Sequence, residues 1–265
     1  MAGSSVQRRN DVTPQDGAPI AFVVLCFALS TAFWLLGALW VRPLLPGLPS
    51  TALMFVCPVG AAAILAGRRG GWRAVVDLLG RALDIRRIRP RGLAIALIAL
   101  PILAAVVAWW AIRLSGAPIP PPAFNPSHAA LLALVMFVAA ACEEIGWSGW
   151  LTEPFVARFG VLGAGLGIGL IWAMFHYVAL LQIHRSLDWI AWWSLGTVAT
   201  RVIMVQLYER AGRSVFAVSL LHLMVNLSWQ LFPGDGVWFN PAVNGVIMAI
   251  LAGAVVLNGR LRRTS

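Results

Sequence analysis

The sequence predicts an all-α, polytopic membrane bundle of about eight transmembrane helices, and three observations carry that prediction. First, 60% of the 265 residues are hydrophobic and only 11% are charged, with 13 Trp among them. A soluble domain carries roughly 25% charged residues, so the polar side chains here are too few to cover a surface facing water. Second, the apolar residues gather in runs of about 20, the length that crosses a bilayer as a helix. Third, all twenty basic residues are arginine, and most of them lie between the runs, as they do in the cytoplasmic loops of membrane proteins.

Residues 1–18 hold Arg8, Arg9, Asp11, Pro14 and Asp16 without apolar periodicity, which reads as a disordered cytoplasmic tail. The run at about 19–41 is too long for a signal-peptide core and is followed by no small-residue cleavage site, so it is the first predicted span. Further spans fall at about 50–66, 92–114, 127–149, 161–181, 188–208, 214–232 and 242–259, and a basic cytoplasmic tail occupies 260–265. No repeat or second domain interrupts 19–259, which is read as one transmembrane domain. The three cysteines, Cys26, Cys57 and Cys142, lie inside apolar runs and form no C-x-x-C pair, arguing against a disulfide framework or a zinc ribbon.

The connection 67–91 places eight arginines (68, 69, 73, 81, 86, 87, 89 and 91) against Asp77 and Asp84. It is therefore predicted to be cytoplasmic. With eight spans, Arg8 and Arg9 at one end and Arg260, Arg262 and Arg263 at the other fall on the same side. The opposite loops, 118–122 and 233–241, are rich in proline and poor in arginine. Within the basic connection, Trp72, Val75, Val76, Leu79 and Leu83 recur at helical spacing, as in a helix lying along the inner leaflet. The net charge of +10 thus marks topology and attraction to anionic lipid. Membrane lipid is the expected partner, and nucleic acid is not. Exclusive use of Arg over Lys, with abundant Ala and Gly, suggests a GC-rich bacterial genome and so a bacterial cell membrane.

Ionisable groups inside spans cost about 2.5–3.5 kcal/mol each on insertion scales, so those that remain there mark partners or tasks. Glu143 and Glu144 close the fourth span, His176 lies in the fifth, Arg201 in the sixth, and His222 and Asn226 in the seventh. If the fourth and fifth spans form a hairpin turning near Phe159 and Gly160, the two glutamates and His176 each lie about sixteen residues from the turn. At about 1.5 Å per residue they reach one depth. His222 and Asn226 are spaced i, i+4, on one helical face. A glutamate and a histidine around one water make a general-base site, and a second histidine with an asparagine supplies donors for an oxyanion. Together these suit hydrolysis of a peptide bond. Glu143, His176 and His222 are equally the residue types that ligate zinc with a water in the open position, and spacing does not separate a required metal from none.

Taken in order, Glu143-Glu144, Trp172-x-x-x-His176 and His222-x-x-x-Asn226 resemble the motifs of the CPBP family, the CAAX proteases and bacteriocin-processing (Abi) proteins. The resemblance covers about 127–232. It implies an intramembrane endopeptidase of eight helices whose site opens toward the cytosol and whose substrate is a membrane-associated or prenylated-type peptide. It also implies that Glu143 or Glu144 with His176 activates water, that His222 with Asn226 holds the oxyanion, and that the enzyme is either a zinc or a metal-free glutamate protease. Non-catalytic members, acting as immunity or scaffold factors, are a second reading. A proton-coupled transporter is a third, but it calls for internal repeats with broken helices that the sequence does not display.

Two positions depart from the family pattern. Ser148 stands where the first motif has Arg, and Trp172 stands where the second has Phe, an exchange of one aromatic ring for another. The missing cation is the larger change, since at i+4 from Glu144 it would pair with the carboxylate. Arg201 is the expected replacement, because an arginine near mid-membrane needs a counter-charge and the glutamates are the nearest unpaired acids.

Overall fold

The computed structural model describes residues 18–40, 49–122, 126–234 and 236–264, so residues 1–17 of the expected N-terminal tail lie outside the described residues. Among the described residues every regular element is helical. The long helices are α1 (Ala18–Leu39), α2 (Val56–Gly80), α3 (Arg91–Ile98), α4 (Leu100–Leu114), α5 (Pro126–Gly146), α6 (Thr152–Gln182), α7 (Leu187–Arg210), α8 (Val215–Gln230) and α9 (Pro241–Thr264). The protein is an integral membrane protein, and its apolar faces Leu39, Leu114, Leu134 and Ile250 are open to lipid.

Local sequence explains the boundaries. Proline stands in the first turn of α1, α4, α5 and α9, where its missing N–H is not needed. Ser186 and Ser214 cap α7 and α8, accepting the backbone N–H of Trp189 at 3.2 Å and of Ala217 at 3.1 Å. Asn240 caps α9 through the N–H groups of Ala242 and Val243. These side-chain oxygens satisfy donors that the first helical turn leaves without partners.

Each of the eight expected apolar segments returns as helix, with three differences. Among the described residues six stretches are long and apolar enough to cross a bilayer, and one of them, Ala129–Gln182, is 54 residues long and carries both the fourth and fifth expected spans. No loop separates those two spans. The chain runs from α5 through a π-helical turn (Trp147–Leu151) into α6 and reverses at Gly160, whose φ of 69° and ψ of 172° are open to glycine and strained for other residues. The reversal is where the hairpin was expected. The 214–232 segment is the second difference: α8 has 16 residues, about 24 Å long, and falls short of a hydrocarbon core of about 30 Å. Finally, α9 continues to Thr264, so the expected tail at 260–265 is helical to its last residue but one.

The basic connection also has a helical start. α2 passes its expected end and breaks at Gly71 (φ 65°), after which Trp72, Val76, Leu79 and Leu83 stay exposed, as an apolar face laid on lipid would be. Its far end is tied to the bundle. Arg81 donates to the carbonyl of Gly149 at 2.6 Å and to the Tyr208 hydroxyl, and lies 3.4 Å from Glu153. Asp84 accepts from the Ser214 hydroxyl at 2.6 Å.

Inside the bundle α5 lies between α2 and α8, while α7 lies between α6 and α9. Small residues set these crossings. A Cβ on Gly165 would come within 2.8 Å of the Val202 Cα, and one on Gly169 within 3.0 Å of the Val198 Cα. This Gly-x-x-x-Gly face brings the α6 and α7 backbones together and delivers Arg201 to the interior.

Candidate active site

The expected residues meet at mid-bundle. Glu144 is fully buried, and the equally buried Arg201 donates to both its oxygens, from Nη1 to Oε2 at 2.7 Å and from Nη2 to Oε1 at 2.9 Å. This is a bidentate pair with two charge-assisted bonds. Ser148 donates its hydroxyl to Oε2, and the Nδ1 of His222 lies 3.0 Å from Oε1. The cation absent at position 148 is therefore supplied from α7, and the serine in its place adds a hydroxyl donor to the same carboxylate.

Glu143 has different surroundings. Its Oε2 accepts the indole N–H of Trp172 at 2.8 Å and of Trp147 at 3.3 Å. Among the described residues no protein donor reaches its Oε1. The two adjacent glutamates, separated by about 100° around the helix, thus face different partners: Glu144 is enclosed by Arg201, Ser148 and His222, while Glu143 lines a cavity.

That cavity, of about 400 Å³, has Glu143, Trp172, His176, Thr200, His222 and Asn226 among its lining residues. Its volume falls in the range of small-molecule and peptide clefts, about 300–1,000 Å³. It runs from mid-bundle toward the end that carries Pro49, Ile183, Trp229 and Phe239, away from the basic connection.

His176 is placed by its own helix. Its Nδ1 lies 2.8 Å from the Trp172 carbonyl, which can only accept, so Nδ1 carries a hydrogen and the neutral ring offers its lone pair at Nε2. Trp172, Phe175 and Trp193 meet the imidazole edge to face, with centroids 5.7, 5.2 and 5.5 Å away. Trp172 is therefore the hub. Its indole N–H holds Glu143, its carbonyl holds His176, and its ring lies 4.2 Å from the Arg201 guanidinium carbon and 5.0 Å from the His222 ring.

The reading of Trp172 as a like-for-like aromatic is corrected here, because phenylalanine has no N–H to give Glu143. Trp147 was not singled out in the sequence. Its i+4 spacing from Glu143 is the signal that would have found it. The π-helical turn that begins at Trp147 widens the backbone beside the glutamates, as π-bulges near functional residues do. Gly146 lets this stretch cross α2, since a Cβ there would fall 2.6 Å from the Pro58 carbonyl oxygen. Asn226, one turn beyond His222 on α8, lines the cavity with it. Among the described residues no three His, Cys, Asp or Glu side chains are grouped so as to hold a metal ion.

The family of type II CAAX prenyl endopeptidases, Rce1-like, matches residues 125–228. A CAAX prenyl protease 2 of Methanococcus maripaludis is 21% identical over 106 residues, 37% of this chain. The match spans 39% of that relative's length. The segment matched by the CAAX prenyl endopeptidase family contains both glutamates, His176, Arg201, His222 and Asn226.

Proposed function

We propose that the protein is an intramembrane endopeptidase in which Glu143 and His176 activate a water against a peptide carbonyl. The observation that carries the reading is their common attachment to Trp172 on the wall of one cavity. The carboxylate of Glu143 and the Nε2 lone pair of His176 take the proton as the water oxygen bonds to the carbonyl carbon. The same pair returns that proton to the amine nitrogen as the C–N bond breaks. Asn226 donates its amide N–H to the oxyanion. His222, anchored through Nδ1 to Glu144, adds Nε2–H when its ring is charged.

Glu144 has a positioning role in this scheme. Its oxygens are engaged by Arg201, Ser148 and His222, so it orients the ring that faces the oxyanion. The reaction is metal-free. What supports this is that, among the described residues, Glu143, His176 and His222 are not grouped so as to hold a metal ion. The arginine-rich end is the cytoplasmic one, with both termini on that side.

The test is cleavage of short fluorogenic peptides with apolar flanks by the purified protein in liposomes. Glu143→Gln and His176→Gln are each expected to lower kcat by about 100-fold or more, the usual span for general-base catalysis, and a chelator is expected to leave the wild-type rate unchanged. Wild-type rates in both variants would overturn the assignment. Loss of activity with the chelator and its return with zinc would overturn the metal-free scheme.

A further inference from the structure

The cavity and the arginines lie at opposite ends of the bundle. From Glu143 and Thr200 at its floor the cavity runs to Pro49, Ala52, Phe239 and Asn244 at its mouth. These residues flank the connections 40–49, 183–186 and 231–240. On α8 the distance from His222 to Trp229 is seven residues, about 10 Å along the axis.

The end opposite the mouth is sealed. Between the glutamates and the basic connection, Trp147, Leu151, Leu207, Tyr208 and Val218 are each fully buried. Beyond them Arg81 closes the layer through Gly149, Tyr208 and Glu153. That sealed end carries the eight arginines of 67–91 together with Arg158, Arg210 and Arg213, whereas the mouth end carries, among the described residues, Arg113 and Arg185. An asymmetry of this size in short connections sets membrane orientation, with the basic end in the cytoplasm.

We propose that the site is reached from the extracytoplasmic face, and that its substrate is a peptide stretch of an exported or membrane-anchored polypeptide presented there rather than a cytoplasmic C-terminus. This rests on the endopeptidase reading for the word substrate, but the direction of access does not depend on it. It also reverses the cytosolic opening that the family resemblance implied. The mouth supports an extracytoplasmic peptide chemically. It is uncharged and lined by apolar and aromatic groups such as Met54, Trp229 and Phe239, which suit apolar side chains beside a membrane anchor.

The experiment is thiol labelling, which needs no activity. In a variant with Cys26, Cys57 and Cys142 replaced by alanine, single cysteines are placed by Ala52→Cys at the mouth, Ala139→Cys one turn before Glu143 on the cavity wall, and Arg73→Cys in the basic connection. A small, membrane-impermeant methanethiosulfonate is applied to spheroplasts of a bacterial host and, separately, to inverted vesicles. The expected result is modification of Ala52→Cys and Ala139→Cys in spheroplasts only, at least 10-fold faster than in inverted vesicles, and of Arg73→Cys in inverted vesicles only. Modification of Ala139→Cys from the Arg73→Cys side would overturn the proposal, and so would its protection from both sides. A correct labelling pattern with no peptide cleavage would leave the access route standing and count against the endopeptidase reading alone.

Discussion

Replacing Arg201 by glutamine tests the centre of this structure. Arg201 and Glu144 are fully buried and joined by bonds of 2.7 and 2.9 Å, which puts the charge centres about 4 Å apart. At an effective dielectric constant of about 20 the attraction at that separation is about 4 kcal/mol. Removing one partner of a buried pair leaves the other charge without compensation, and losses of about 3–5 kcal/mol follow. The guanidinium also stacks on Trp172, so the loss reaches the residue that holds Glu143 and His176. Arg201→Gln is therefore expected to lower stability by about 3–5 kcal/mol, read as a fall of about 10 °C in the apparent Tm of the detergent-solubilised protein, and to abolish peptide cleavage. A double-mutant cycle with Glu144→Gln isolates the pair, and a coupling above about 1 kcal/mol is expected. A coupling below that, or an Arg201→Gln protein with wild-type Tm and rate, would refute the reasoning.

Three further predictions follow from the same contacts. Ser148→Arg, which restores the family's cation one turn from Glu144, is expected to recover part of the activity and Tm lost in Arg201→Ala, and to give no gain in the presence of Arg201, since the carboxylate is already paired; thermal shift and cleavage assays read both. Trp172→Phe keeps an aromatic ring over Arg201 but removes the N–H to Glu143, so kcat should fall by about 10-fold, the worth of about 1.4 kcal/mol, with little change in Tm; an unchanged kcat would mean that Glu143 is held without it. Gly169→Leu forces α6 away from α7, because a Cβ there already lies 3.0 Å from the Val198 Cα, and a loss of about 1–3 kcal/mol is expected from overpacking, measured by thermal unfolding.

Much of this was legible in the sequence because lipid makes the rules strict. A bilayer has no water to satisfy the backbone, so apolar runs of about 20 residues must be helical, and α1, α7 and α9 stand close to where hydropathy put them. Charged groups inside such runs are costly enough that Glu143, Glu144 and Arg201 stood out by position alone. The reversal at Gly160 was reached in the sequence as a supposition, a hairpin there putting the glutamates and His176 at equal depth. The continuous passage from α5 into α6 was not, since nothing in hydropathy distinguishes a loop from a π-helical turn at Trp147–Leu151.

The division of labour between the two glutamates shows the remaining gap. The sequence by itself put two adjacent acids and a histidine at one depth of a helical membrane bundle, because depth is counted along each helix, and put a second histidine and an asparagine on one face of another span. Only the tertiary structure decided which acid does what. Neighbours on one helix point about 100° apart, and the helices that happen to pack on each side then determine that Glu144 meets Arg201 and His222 while Glu143 meets two indoles and a cavity. The direction in which that cavity opens was likewise decided by packing. It depends on which end of the bundle Trp147, Leu151 and Tyr208 fill, and no count along a single helix contains that information.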